Sequence, residues 1–428
     1  MDADVLVLGA GFAGIAAARD LRDAGRRAIV LEARDRIGGR TWYRELPGTG
    51  VHVEYGGMFF SRATQPHLAR EIERYGIAVS PSTEPEQIAW IRGDERREGE
   101  EALDDVRAKL AGSRFAAALA ETADAFESGD RRALAAHDVT AAAWIDALEA
   151  DDEVADYLRA FMASMGGTKI ERSSVLPLLW DMVELDYDPI DAYLETGELF
   201  AEGTKSLIDA MAEGLDLRFG SVVRRVERDD ERVRATLDDG AVLEASAAIV
   251  ALPLNVWADV AFEPPLAAPK QRAAGERHAG EASKVLAVVR DAPASFLGMA
   301  WGTPINAGFV TKPTPDGGRL FMGFSAQDRV DLSDHEAMAD AVRAHLPEAT
   351  VVATDGHDWV SDPFAKGTWL AIPPGWFSDG TFEALGVAEG RLVFAGSDIA
   401  SEGAGWIEGA VGSGVAAAAE VGRLLAAG

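Results

Sequence analysis

The chain has 428 residues, of which 48% are hydrophobic and 26% charged, and its 41 basic and 71 acidic residues leave a formal net charge of −30. This length gives a prior of about two to four domains. The acidity argues against nucleic acid or an anionic membrane as a partner, because both would be repelled, and it is compatible with a cationic small molecule. Cysteine is absent, which excludes disulfides, thiolate metal sites and a cysteinyl cofactor linkage.

The start of the chain, MDADVLVLGAG, runs directly into an apolar strand and has no signal-peptide pattern. No stretch approaches the roughly 20 apolar residues that span a bilayer. The predicted location is therefore the cytoplasm. The seven histidines show no metal-ligand spacing, so no metal site is predicted.

The first forty residues carry the clearest pattern, a complete βαβ unit. Its predicted elements are a strand from Val5 to Leu8, a helix from Ile15 to Ala24 and a strand from Ala28 to Leu31. Gly9, Gly11 and Gly14 form GxGxxG, which permits a tight turn, close approach of a pyrophosphate to the backbone and close helix–strand packing. The pyrophosphate would lie at the helix N-terminus. Glu32 ends the second strand and is placed to accept from a ribose hydroxyl, so the pattern predicts a dinucleotide site.

A second glycine pair follows in EARDRIGGRTW, where Gly38 and Gly39 stand between arginines. A plain nicotinamide-binding fold does not need this extension. Here the sequence resembles the flavin-containing amine oxidase family, which includes monoamine oxidases, polyamine oxidases, L-amino-acid oxidases and histone demethylases. The resemblance implies FAD as the cofactor. The residues that match the family's FAD-binding opening are Gly9, Gly11, Gly14, Glu32, Arg34, Gly39 and Arg40.

The resemblance continues in separated blocks over essentially the whole chain. EYGGMFF looks like the family's glycine pair lying against the flavin. A middle segment, with a predicted hairpin at Asp239-Gly240, looks like the part of the FAD domain whose backbone contacts the adenine. FAGSDIASEGAGWIEGAV looks like the family's C-terminal flavin motif, in which a glycine-lined loop and a helix N-terminus receive a polar group. The FAD-binding residues that these blocks imply are Gly56, Gly57, Met58, Val223, Gly396, Asp398 and Ile407.

The predicted fold class is α/β, with a Rossmann-type FAD-binding domain interleaved with an α+β substrate domain, as in the amine oxidase and p-hydroxybenzoate hydroxylase architecture. We assign residues 1–78, 201–273 and 362–428 to the FAD-binding domain. Residues 79–200, whose pattern is strongly helical, and residues 274–361, which mix strands with a helix, form the substrate-binding domain.

Lys284 lies in GEASKVLAVV, directly before a predicted buried strand from Val285 to Val288. A lysine there is costly unless its ammonium has partners or is neutral. From the residues alone, a strand-end lysine that reaches solvent is an alternative. The family resemblance implies a lysine held near flavin N5 through a water, where it assists the reaction of oxygen with reduced flavin.

Two tryptophans are predicted to enclose the substrate. In monoamine oxidases two aromatic residues stand face to face before the flavin, and the matching positions here are Trp369 and Trp406. Thr368 matches the position where those enzymes carry the cysteine bound to the flavin, so FAD is predicted to be non-covalent. Phe59 stands where L-amino-acid oxidases usually carry an arginine for the substrate carboxylate, which favours simple amines. Phe59 and Trp180 complete the predicted substrate site.

The predicted reaction is FAD-dependent oxidation of a primary or secondary amine to an imine, which hydrolyses to a carbonyl compound, with oxygen reduced to hydrogen peroxide. The predicted catalytic residues are Lys284, Trp369 and Trp406. Three alternatives stay open: an L-amino-acid oxidase, an amine dehydrogenase with a protein electron acceptor, and a catalytically quiet flavoprotein scaffold. The expected partners are the amine, oxygen and, in a possible homodimer, a second copy of the chain, with no nucleic acid and no membrane.

Overall fold

The computed structural model describes residues 1–80, 85–99, 101–128, 131–184, 189–194 and 197–427. The strands are β1 (Val5–Leu8), β2 (Ala28–Leu31), β3 (Tyr43–Leu46), β4 (Val51–Glu54), β5 (Val79–Ser80), β6 (Gln87–Arg92), β7 (Glu95–Glu98), β8 (Leu199–Phe200), β9 (Asp216–Arg218), β10 (Val223–Arg228), β11 (Val233–Leu237), β12 (Val242–Ala245), β13 (Ala247–Val250), β14 (Ala261–Glu263), β15 (Ser283–Arg290), β16 (Phe296–Trp301), β17 (Ala307–Pro313), β18 (Arg319–Ser325), β19 (Thr350–Asp355) and β20 (Leu392–Phe394).

The α-helices are α1 (Phe12–Asp23), α2 (Pro66–Tyr75), α3 (Glu101–Ala111), α4 (Phe115–Ser128), α5 (Arg131–His137), α6 (Ala141–Ala147), α7 (Asp152–Gly166), α8 (Leu176–Glu184), α9 (Asp191–Leu194), α10 (Gly203–Ala212), α11 (Ala268–Glu276), α12 (His335–His345), α13 (Thr381–Leu385) and α14 (Ile407–Ala427). Two 3-10 helices span Leu254–Asp259 and Ser397–Ile399. No helix in these described ranges combines the length and the apolar character that a bilayer crossing needs.

A five-stranded parallel sheet in the order β20-β13-β1-β2-β9 forms the centre of the dinucleotide-binding part. β1 and β13 are buried along their whole length, as expected for parallel strands covered on both faces. α1 follows β1 and packs against α14. It begins at Phe12, three residues earlier than the pattern predicts. The strands come from three separate parts of the chain, and the predicted α/β class with a Rossmann-type sheet is confirmed.

Next to this sheet, β12, β11, β10 and β14 form a four-stranded sheet. β11 and β12 are antiparallel neighbours, with Val233 opposite Ala245. The hairpin predicted at Asp239-Gly240 is therefore present.

The second large sheet has the order β19-β15-β18-β17-β16-β6-β7. Its last two strands correct the expectation that residues 79–200 are strongly helical, because QIAWIR forms β6 and pairs in parallel with β16. Ile88 and Trp90 are buried, and α3 and α7 pack against this edge of the sheet. The partner strand lies far along the chain, so the tertiary pairing, and not local helix propensity, decides the structure of this segment. The domain boundaries themselves stay a prediction.

Candidate active site

A cavity of about 1850 Å³ extends from the parallel sheet to the seven-stranded sheet. One end lies at the carboxyl ends of β1 and β2, where Gly9 and Leu31 line it, and the other end reaches Phe309 and Phe324 on β17 and β18. The strand connections reverse direction beside β1, and open α/β sheets bind ligands at such a switch point. The cavity therefore has the position of a cofactor site that continues into a substrate site.

Almost all of the predicted site residues line this cavity. They are Gly9, Gly11, Glu32, Arg34, Gly39, Arg40, Gly56, Gly57, Met58, Phe59, Trp180, Val223, Lys284, Trp369, Gly396, Asp398, Trp406 and Ile407. Gly14 does not line it. A Cβ on Gly14 would overlap the Gly9 carbonyl oxygen, so this glycine serves the packing of α1 against the turn. The structure thus places all of these residues except Gly14 around one cavity, and their individual roles stay predictions.

The glycine-rich turn leaves open space at the N-terminus of α1. A Cβ on Gly9 would lie 2.7 Å from the carbonyl oxygen of Ala251, so the turn passes close to the end of β13. A Cβ on Gly11 would meet no atom within 4 Å. Gly39 lies opposite, and a Cβ on Gly39 would be 3.4 Å from the Cα of Gly11. Backbone N–H groups at a helix N-terminus beside such a space can bind an anion.

Glu32 is buried at the end of β2, and each of its carboxylate oxygens accepts a backbone hydrogen bond. Oε2 accepts from the N–H of Ala10 at 2.8 Å and Oε1 from the N–H of Arg34 at 2.8 Å. These bonds fix the carboxylate beside the glycine-rich turn. The Arg34 guanidinium pairs with Asp362 at 2.5 Å and lies over the ring of Phe364. Glu32 keeps acceptor capacity, because a carboxylate has about four lone-pair positions.

Arg40 and Asp398 connect three parts of the chain. Arg40 donates to Oδ1 of Asp398 at 2.7 Å, to Oγ of Ser397 at 3.0 Å and to the Thr368 carbonyl oxygen at 2.5 Å. Oδ2 of Asp398 accepts from the N–H of Leu254 at 3.0 Å. Burial acts to raise the pKa of Asp398, but the charges of Arg40 and His278 and the hydrogen bonds from Arg40 and Leu254 together outweigh it and hold this pKa below its ordinary value. The carboxyl group is therefore ionised in the folded protein.

Lys284 lies in β15 and is only 6% exposed, which excludes the solvent-facing alternative. Its Nζ donates to the carbonyl oxygen of Gly56 and lies 3.4 Å from that of Glu54 and 3.3 Å from Sδ of Met58. Burial lowers the pKa of Lys284 to about 8, and the charge of Glu54 opposes this shift. The lysine thus holds the glycine pair in place with a buried ammonium whose pKa lies well below that of an exposed lysine.

The carboxylate of Glu54 in turn anchors the N-terminus of α10. It accepts from the N–H of Thr204 at 2.5 Å and from its Oγ1 at 3.1 Å. Burial raises the pKa of Glu54, although the hydrogen bonds from Thr204 and the charge of Lys284 act in the opposite direction.

The two predicted tryptophans approach the cavity from neighbouring segments. Trp369 donates its Nε1–H to the Met165 carbonyl oxygen at 2.8 Å and meets Phe324 edge-on at 5.6 Å between ring centroids. Trp406 directly precedes α14 and is 37% exposed, so the cavity is open on its side. A Cβ on Gly405 would lie 3.5 Å from the backbone of Leu370, which places the two segments in contact. The face-to-face arrangement of the indoles stays a prediction.

Aromatic side chains form much of the remaining wall. Phe59 packs against Phe309 at 6.1 Å, and Trp180 packs against Phe126 at 4.6 Å between ring centroids. Arg62, the cavity-lining arginine closest in sequence to Phe59, has its guanidinium engaged by Glu198. Phe59 itself offers an apolar face where a carboxylate clamp would need a guanidinium.

Some residues that shape the site gave too weak a signal in the sequence. Arg36 donates to the carbonyl oxygens of Ile37, Gly39 and Thr41 and lies over the ring of Trp42. Arg36 therefore fixes the backbone around the second glycine pair through these carbonyl oxygens. The motif includes Arg36, but only its backbone partners reveal the role.

Gly167 was missed as well. The pair Gly166-Gly167 marks the end of a helix in the sequence, but nothing local indicates that the Trp369 indole lies on it.

Among the described residues, no group of three or more His, Asp or Glu side chains could hold a metal ion.

The parallel sheet carries a glycine-rich turn and a buried acid at the end of β2, and the cavity beside them continues into an aromatic chamber. This arrangement is typical of oxidoreductases that bind a dinucleotide cofactor at the sheet and a substrate next to it. The chain belongs to the flavin containing amine oxidoreductase family, whose model matches residues 12–422. This confirms the resemblance found in the sequence and the prediction of an enzyme that oxidises amines with a flavin.

Individual relatives cover nearly the whole chain. (S)-6-hydroxynicotine oxidase of Paenarthrobacter nicotinovorans is 32% identical over 420 residues, which are 95% of this chain and 96% of that protein. Pseudooxynicotine dehydrogenase of a Pseudomonas species is 31% identical over 445 residues, 97% of this chain and 85% of that protein. The solved structure of putrescine oxidase bound to putrescine has a TM-score of 0.85 at 22% identity and covers 99% of both chains, a likeness that shows the fold.

Proposed function

We propose that the protein binds FAD without a covalent bond and uses it to oxidise a primary or secondary amine to an imine, with oxygen as the electron acceptor. The observation that carries this proposal is the continuity of one cavity. The glycine-rich turn and Glu32 line the same space as Lys284, Trp369 and Trp406. A cofactor bound along it would extend from a dinucleotide cradle to an aromatic chamber.

Three features of the cavity fit FAD. The open space at Gly11 and Gly39 would hold the pyrophosphate, and Glu32 would accept from a ribose hydroxyl. Thr368 lines the cavity, and its buried Oγ1 has no hydrogen-bond partner among the described residues, so this hydroxyl could bond to a polar atom of the cofactor. With no cysteine in the chain, the thioether linkage to a flavin cannot form. FAD would supply the acceptor for the hydride that leaves the carbon beside the amine nitrogen.

The aromatic chamber would bind and orient the amine. Most amines arrive protonated, and an indole face attracts a cation by about 0.5–2 kcal/mol. Hydride loss requires the neutral amine, and apolar walls such as Phe59 and Phe324 disfavour the charged form. Trp369 and Trp406 would then hold the reacting C–H bond in a fixed orientation. The net charge of −30 favours the approach of the cation.

Lys284 would act in the second half of the reaction. Its ammonium is buried and bonded to the backbone of the glycine pair, so it presents a fixed positive charge at the wall of the cavity. Such a charge stabilises negative charge that develops on oxygen during reduction. We propose this role for Lys284, with hydrogen peroxide as the product.

A second candidate, an amine dehydrogenase with a protein electron acceptor, is favoured by one observation: pseudooxynicotine dehydrogenase is 31% identical to this chain. Peroxide yield separates the two candidates. One peroxide per amine oxidised supports the oxidase, whereas turnover that needs an added electron acceptor and yields no peroxide supports the dehydrogenase.

The decisive experiment is a panel of amines scored by anaerobic bleaching of the bound flavin and by peroxide release. The panel should contain nicotine derivatives and putrescine, because relatives are named for them, together with L-amino acids. Bleaching by amino acids alone would replace the proposal by an L-amino-acid oxidase, and the absence of bleaching by every compound would refute amine oxidation. The cytoplasmic location and the homodimer stay predictions, and size-exclusion chromatography tests the second.

A further inference from the structure

The Trp369 indole rests on the C-terminal turn of α7. Its Nε1–H donates to the Met165 carbonyl oxygen at 2.8 Å. A Cβ on Gly167 would overlap Cε2, Cζ2 and Nε1 of the indole, so the ring lies directly against the glycine backbone. We propose that Gly167 is a positioning residue that sets the orientation of the Trp369 indole and thereby the width of the amine site. This inference rests on the proposed function, because it takes Trp369 as a wall of that site.

The indole has little room to yield in other directions. Phe324 meets its ring edge-on at 5.6 Å. Behind the backbone of Trp369, a Cβ on Gly280 would overlap the Trp369 carbonyl oxygen, so this segment is already as close to Gly280 as a backbone can come. The Gly167 carbonyl oxygen accepts from the N–H of Glu281 at 2.8 Å, which ties the turn to the same segment. The open side of the indole is the cavity.

A methyl group at residue 167 would therefore push the indole into the cavity. Ordinary carbon–carbon contact requires a displacement of about 1 Å. The displaced ring would lose its hydrogen bond to Met165 and would narrow the space for the amine. A 1 Å misplacement in an active site can cost about 100-fold in rate.

The backbone provides a matched control. Gly167 caps α7 in the left-handed conformation, with φ 64° and ψ 27°. Gly76 caps α2 in nearly the same conformation, with φ 62° and ψ 37°, and a Cβ there would meet no atom within 4 Å. Gly76→Ala therefore introduces the same backbone strain without touching an indole.

The test compares Gly167→Ala, Gly76→Ala, Trp369→Ala and the double variant Gly167→Ala/Trp369→Ala as flavin-loaded enzymes. We expect Gly167→Ala to lower kcat/KM for a bulky cyclic amine by about ten-fold to 100-fold and for a slender alkylamine by less. Gly76→Ala should retain the wild-type values. In the Trp369→Ala background, Gly167→Ala should have no further effect, because it acts only through the indole. Additive losses would overturn the inference, as would equal behaviour of the two glycine variants.

Two readouts keep the test decisive without turnover. A crystal structure of Gly167→Ala should show the indole withdrawn from the Met165 carbonyl oxygen, and an unmoved indole would refute the role. If the single variant does not fold, recovery of folded protein in the double variant supports the inference, and failure of the double variant overturns it. If the wild-type enzyme oxidises no amine, the proposed function fails, whereas the position of the indole still decides the role of Gly167.

Discussion

Replacing Lys284 by Met should separate the two halves of the proposed reaction. The variant removes a buried ammonium whose hydrogen bond fixes Gly56 and whose Nζ lies 3.3 Å from Sδ of Met58. Met has similar length and no charge, so the packing in β15 changes little. We expect reoxidation of the flavin by oxygen to slow far more than its anaerobic reduction by an amine, because the proposed role of the ammonium is to stabilise the negative charge that develops on oxygen.

The expected slowing of reoxidation follows from the charge that Lys284 keeps at pH 7 and from its fixed, buried position. The pKa of Lys284 is lowered from 10.5 to about 8, which corresponds to about 3 kcal/mol for holding the charge in the folded protein. At pH 7 the ammonium still outnumbers the amine by about ten to one. A fixed donor aimed at developing negative charge is worth about 100-fold to 1,000-fold in rate. We therefore expect reoxidation to slow by about 100-fold or more.

The pH dependence has a definite sign. Reoxidation in the wild type should fall as the pH rises through about 8, where Lys284 loses its proton, and the Met variant should lack this step. Stability should change in the opposite direction. Below pH 8 the folded and unfolded states both bind the proton, and between pH 8 and 10.5 only the unfolded state does, so unfolding becomes costlier by up to about 3 kcal/mol. Lys284→Met should lack this gain.

Stopped-flow spectroscopy measures both half-reactions on the same preparation. Reduction is followed anaerobically with excess amine, and reoxidation is followed after mixing the reduced enzyme with oxygenated buffer. Lys284→Arg, which keeps the charge, serves as the control. Equal slowing of both half-reactions by Lys284→Met, or unchanged reoxidation, would refute the proposed role.

Three further predictions concern the same cavity. Trp369→Ala and Trp406→Ala should each keep FAD bound but slow anaerobic reduction about ten-fold or more, a loss of about 1.4 kcal/mol, and wild-type rates in both would remove the aromatic walls from the mechanism. Acid precipitation should release all FAD to the supernatant, and a yellow pellet would reveal a covalent bond. Asp398→Asn removes the negative charge that pairs with the Arg40 guanidinium at 2.7 Å, so we expect the free energy of unfolding to fall by about 3 kcal/mol. A loss below 1 kcal/mol in urea titrations would show that the pair contributes little.

The sequence predicted the cofactor end of the site because its signals are local. The turn glycines, the apolar run of β1 and the acid Glu32 lie within one βαβ unit, and each has a specific physical purpose that restricts the residue type. By contrast, β6 was missed. QIAWIR is short, lies in a charged surrounding and pairs with β16, which follows it only much later in the chain. Local propensity carries no information about such a partner.

At the substrate end, the sequence provided the residue types but not their supports. The position of Lys284 could be inferred by family resemblance, but its bond to the Gly56 carbonyl oxygen depends on a contact between β15 and the loop after β4. The same holds for the carboxylate of Glu54, which reaches the N-terminus of α10 at Thr204. The backbone surface against which the Trp369 indole lies is formed by Gly167 at the end of α7. Each of these contacts joins segments that are distant in sequence, and no periodicity predicts them.

Backbone contacts of this kind also connect the part of the cavity wall proposed for the oxygen reaction with the part proposed for amine binding. The segment before β15 is tied to both sides of the site: the N–H of Glu281 donates to the carbonyl oxygen of Gly167, and the N–H of Thr368 donates to that of Gly280 at 3.1 Å. Lys284 follows this segment directly, and the tryptophan that lies on Gly167 follows Thr368. The group proposed for the oxygen reaction and the aromatic wall proposed for the amine are therefore held by one hydrogen-bonded backbone unit. A site supported in this way keeps its geometry without side-chain rearrangement, so a change beneath the indole should alter amine selection while the lysine keeps its place.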